Sequence, residues 1–134
     1  MPKWCNEGET SIGNVYLKNV TQVDKYLGLY KDATEPAETA TLATITEVAV
    51  AFGYARIKLE NSDWTEDINI KGQFTNLLKT FTASGGSFGS VTGYFISTTA
   101  SGTTGKLLCV EHFNAPHVIS DGLSEAITPT IIFE

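Results

Sequence analysis

What most constrains this chain is an alternation of apolar and polar side chains at every second residue, interrupted repeatedly by turn-forming residues. Ala55, Ile57 and Leu59 oppose Tyr54, Arg56, Lys58 and Glu60, and Ile68 and Ile70 alternate with Asp67, Asn69 and Lys71. Leu27 and Leu29 point to one side of their segment and Tyr26 and Tyr30 to the other, with Gly28 between them marking a close approach or a bulge. Period two is the signature of strands with one face in a core. Val91–Ile96 and Leu107–Phe113 are denser in β-branched and aromatic residues and read as further strands.

The punctuation is equally regular. Asn61-Ser62-Asp63, Ser84-Gly85-Gly86-Ser87, Thr98–Gly105 and Ser120-Asp121-Gly122 are turn or loop signals, and Asp-Gly between apolar pairs predicts a hairpin. Phe74–Ala83 reads as strand-like with a bulge or register change at Leu77-Leu78, and Glu125–Phe133 as another strand in which Pro129 argues for an edge or a bulge. Seven or eight short strands result, with no helical connectors to support a parallel sheet. The expected fold is all-β: a single-domain antiparallel β-sandwich, jelly-roll-like or immunoglobulin-like, or a flattened barrel. Residues 14–134 form that domain, and residues 1–13, polar and glycine-containing, are expected as a short N-terminal arm. Between Asn14 and Asp24 the apolar residues Val15, Leu17, Val20 and Val23 keep neither period, so helix and strand stay open there.

Charge narrows the partners. The formal net charge is −6, and nine Lys and Arg dispersed over 134 residues do not supply the cationic cluster that nucleic acid or an anionic membrane surface requires. No run of the chain approaches the length of a membrane span, and the N-terminus lacks the apolar core of a signal peptide, so synthesis in the cytoplasm is expected. Two cysteines are too few for a disulfide-built domain; Cys109, inside Leu107–Val110, reads as a buried free thiol, and Cys5 lies in a polar stretch.

No active site is specified. His112 and His117 lack the further ligands and supporting partners of a metal centre, and Gly85–Gly89 lacks the Lys-Ser/Thr and helix of a phosphate loop. Serines Ser84, Ser87 and Ser90 are turn formers without a nucleophile elbow. Asp63, Glu66 and Asp67 surround Trp64, a pattern that fits either a sugar platform or a capped turn with an aromatic anchor. No enzyme activity, cofactor or metal is expected. Candidate contact residues are Trp4, which as a large aromatic in a polar tail must dock on its own domain or a neighbour, and Glu35, Pro36 and Glu38 in the acidic excursion 31–47. Tyr26, Tyr30 and Tyr54, opposite their strands' apolar rows, either fill a second core or meet a partner.

The order of several short motifs resembles a group of small virion proteins of tailed bacteriophages. It runs Tyr26-Leu27-Gly28-Leu29-Tyr30, Glu35-Pro36, Ile45-Thr46-Glu47, Gly53-Tyr54-Ala55-Arg56, Asp63-Trp64-Thr65, Phe81-Thr82-Ala83, Val91–Ile96, Lys106-Leu107-Leu108 and Ile127-Thr128-Pro129, covering roughly residues 24–134. The resemblance implies a virion component with no catalytic or metal-binding residues, partnered by other virion proteins and by its own copies, with a trimer favoured. A capsid decoration (cement) protein is the leading expectation, because the chain is short and carries no repetitive shaft. A small tail, fibre or baseplate protein that binds a host glycan through Trp64 is the alternative, and a carbohydrate-binding module the competitor from another class.

Overall fold

The computed structural model describes residues 2–133. In chain order the elements are β1 (Lys3–Trp4), α1 (Asn6–Lys18), β2 (Lys25–Tyr30), β3 (Ile57–Leu59), β4 (Thr65–Glu66), β5 (Gln73–Thr75), β6 (Lys79–Thr82), β7 (Gly89–Ser97), β8 (Leu107–Ile119), β9 (Ser124–Ile127) and β10 (Thr130–Ile132). All strand pairs are antiparallel. Five strands make the main sheet in the order β1-β8-β7-β2-β3, and two small sheets follow, β10-β5-β4 and β6-β9. The fold is mostly β, and no sheet closes into a barrel.

The centre of the main sheet is buried on both faces. In β7 every residue from Val91 to Ser97 is buried. On one face Leu27, Leu29, Tyr94, Ile96 and Cys109 meet Phe81, Ile127 and Ile131 from the small sheets. On the other, Tyr30, Phe95, Leu107 and Val110 are covered by Cys5, Leu42 and Ile45. The excursion 31–47, read from sequence as acidic and solvated or as a contact loop, is therefore mainly a cover: Pro36, Leu42 and Ile45 are anchored and the carboxylates of Glu35 and Glu38 point outward.

Three further expectations change. Where an arm was expected, Lys3 and Trp4 pair with Val110 and Cys109 of β8, and a 13-residue helix follows. Glu7 and Glu9 in its first turn and Lys18 in its last suit the helix dipole, and Asn19, at φ 55°, ends it in the left-handed region. Gly8 lets the helix lie against the backbone of Leu108, a contact that leaves no room for a Cβ. Secondly, Phe74–Ala83 and Glu125–Phe133 are not single strands. Each breaks, at 76–78 and 128–129, and passes from one small sheet to the other; the Asn76 N–H donates to the Pro129 carbonyl at the crossing (2.9 Å). Thirdly, the Asp121-Gly122 turn forms, yet β8 and β9 go to different sheets, so it joins no hairpin.

Arg56, expected on a polar strand face, has its side chain buried, at 3% exposed. Its guanidinium donates to both carboxylate oxygens of Glu47 (2.8 Å each) and to the carbonyls of Thr99 (2.9 Å) and Gly102 (2.8 Å), and it stands 5.1 Å from the centre of the Phe95 ring. The Tyr54 hydroxyl donates to Glu47 (2.7 Å) and accepts the Leu29 N–H (2.9 Å). One ion pair thus joins the cover, β2 and the β7–β8 turn. The outer edge of β8 is largely open: β1 reaches only Cys109 and Val110. There β8 takes five residues from His112 to His117 while β7 takes two from Val91 to Gly93, so the strand bows outward around Pro116.

Removing one partner of a buried ion pair leaves the other charge uncompensated. Arg56→Met is expected to cost about 3–5 kcal/mol in urea unfolding, and Arg56→Met with Glu47→Leu to cost clearly less than Arg56→Met alone. Equal losses in the two variants would show that the pair is not what holds these segments.

Candidate functional site

The residues singled out from sequence do not converge. Trp4 docks on its own chain: its indole N–H donates to the Ile132 carbonyl (2.9 Å) and its ring lies 5.1 Å from Phe133. Glu35 forms an ion pair with Lys3 at 3.5 Å, the Lys3 ammonium also reaches the Pro36 carbonyl, and the Glu38 carbonyl accepts the Asn6 N–H (2.9 Å). The acidic excursion thus straps down the N-terminus.

The three tyrosines separate. Tyr26 is half-buried on β2. Tyr30 and Tyr54 are buried and cannot serve as partner contacts, because each closes an internal network: Tyr30 shares a hydrogen bond with His112 Nδ1 (3.0 Å), and Tyr54 bridges Glu47 and Leu29. Burial raises the pKa of both hydroxyls, with nearby carboxylates adding to the effect.

The carboxylates around Trp64 are occupied in building the turn. Asp63 lies 3.8 Å from the Lys79 ammonium, Glu66 accepts the Gly72 N–H (3.2 Å), and Asp67 Oδ1 accepts the N–H groups of Asn69 (2.7 Å) and Ile70 (2.9 Å). His117 lies 2.9 Å from Glu125 and stacks on Phe113. Among the described residues, no group of three or more His, Cys, Asp or Glu is placed to hold a metal ion.

What the structure does assemble is an apolar cleft of about 370 Å³ between α1 with the segment after it and the β10-β5-β4 sheet. Trp4, Trp64, Phe74 and Phe133 supply aromatic walls, Leu108 and Ile131 adjoin them, and Ile12, Val15 and Tyr16 overhang from the helix. Lys25 is the one charged side chain among the lining residues, and burial lowers its pKa. Trp64 is half-buried in this wall, not presented as an open platform, and its indole N–H is buried with no acceptor among the described residues. A wall of this kind binds apolar matter by excluding water, and an orphaned donor leaves it incomplete.

Sequence reasoning missed the cleft because its residues come from eight separate stretches of chain. Its one local signal was the apolar set Val15, Leu17, Val20 and Val23, which fitted neither period. Leu17 and Val20 are exposed, and Val15 and Val23 border the cleft. A scan against protein-family models and a search of curated proteins both return no match. Among the described residues, no helix is long and apolar enough to cross a membrane.

Both cysteines are free and buried, and burial pushes the Cys5 thiol up to about 11 and the Cys109 thiol higher still. Both are therefore expected to resist a thiol reagent in the native protein at pH 8 and to react in urea. Rapid labelling of either before unfolding would contradict the packing of β1 and α1 on β8.

Proposed function

We propose that the chain is a non-catalytic structural protein of a tailed-phage virion, most simply a capsid decoration protein that binds and stabilises the shell. The single observation that carries an assembly role is the apolar cleft, overhung by Ile12, Val15 and Tyr16 of α1, with Leu17 and Val20 exposed in the adjoining stretch of chain. Tyr16 is 86% exposed and Leu17 79% exposed there. Contiguous apolar surface on this scale is costly to leave in water and marks a place where another surface packs. The virion assignment adds the ordered motifs from Tyr26 to Pro129, which resemble small phage structural proteins.

Two features of the fold favour this reading. A sheet covered on both faces and tied by the Arg56–Glu47 pair makes a rigid body suited to repeated placement on a lattice. We read the main sheet and the two small sheets facing it as the layers of a sandwich-like fold. Secondly, Glu35 and Glu38 are exposed on an anchored excursion, giving an acidic contact surface. The partners are then other virion proteins and further copies of the chain. The net charge of −6 argues against nucleic acid.

Quantitative mass spectrometry of purified particles from the encoding phage tests the proposal. A decoration protein is expected at hundreds of copies per particle. A few copies would instead assign it to the tail, and absence from particles would overturn the virion reading.

A further inference from the structure

We infer that the cleft and the exposed side of α1 form a self-complementary interface at which two copies of this chain pair about a twofold axis. The inference rests on the reading of this apolar surface as an assembly surface, and it names the occupant.

The first argument is extent. Ile12, Val15, Tyr16, Leu17, Val20 and Val23 are all exposed and fall within one helix and the few residues after it. Weighted by ordinary side-chain areas, their exposed parts come to roughly 500 Å², more than half of the ~800 Å² that one partner contributes to a stable interface of standard size, and the cleft walls add to it. A small apolar ligand in the cleft would leave Tyr16, Leu17 and Val20 in water. Only a macromolecular surface covers both features.

The second argument is shape. One surface of the molecule carries a ridge, the exposed side of α1, and next to it a groove with room for large side chains. A twofold operation places the ridge of each copy in the groove of the other, so both features are covered in a single contact and no apolar edge is left for a third copy. The third argument is charge. Each chain carries a net −6, so pairing is penalised wherever carboxylates meet. The cleft lining contains no carboxylate, and its charged member is Lys25.

The chain's two tryptophans, Trp4 and Trp64, both line the cleft, so their fluorescence reports on this site alone. The purified full chain in analytical ultracentrifugation is expected at twice its 14.5 kDa mass at micromolar concentration, with tryptophan emission moving to the red on dilution. Leu17→Glu, at an exposed position where the monomer tolerates it, is expected to weaken self-association by at least about thirty-fold. Its emission should no longer depend on concentration, and its circular dichroism should be unchanged. Leu77→Glu, an exposed leucine outside the surface, should still dimerise. A monomer at every soluble concentration, a trimer, a dimer indifferent to Leu17→Glu, or a monomer that retains a small apolar molecule in native mass spectrometry would each overturn the inference. Failure here leaves particle copy number untouched, and absence from particles leaves the dimer untouched, so the two readings fail separately.

Discussion

A sheet whose central strand is apolar on both sides has to be covered twice, and most of this architecture follows from that requirement. Val91–Ser97 leaves no side of β7 that tolerates water. One cover is built from strands, β6, β9 and β10. The other is assembled from less regular material, the excursion 31–47 and the start of α1. Irregular chain makes a poor cover unless its backbone polar groups are satisfied. Here Lys31 donates to the Thr46 carbonyl and Val48 to that of Leu29, so the end of the excursion runs as a short extra ribbon along β2.

The Arg56 guanidinium secures that cover where hydrophobic contact alone gives no direction. A fork of donors shared between a carboxylate and two turn carbonyls fixes position and orientation together, which a point charge on a flexible stem would not. The Thr98–Gly105 turn, rich in Gly, Ser and Thr, is thus held from below despite a composition that reads as flexible.

The sequence was most informative where the physics is local. Alternation in Leu27–Tyr30 and density in Val91–Ile96 and Leu107–Val110 placed the three central strands, because period two and burial act on neighbouring residues. It was misleading where tertiary contact decides. Gly8 and Gly13 weaken any helical signal, and α1 forms because Gly8 meets Leu108 across the fold. Arg56 looked solvent-facing because its partner Glu47 precedes it across a turn and two more acceptors lie in another loop. Leu77-Leu78 and Pro129 did signal irregularity, yet nothing in one strand tells whether the chain bulges within a sheet or crosses to the next. The cleft was least legible, since no single segment contains it.

The bowed outer edge of β8 bears on how such a molecule can multiply. A straight strand edge accepts another strand in any number and without a natural end. Between His112 and His117 the register of β8 against β7 slips, and Pro116 has no amide hydrogen to offer. Copies therefore cannot stack indefinitely by extending the main sheet past this point. An assembly made through side chains of fixed shape, as proposed above, would saturate once matched, and its size would be set by geometry and not by supply.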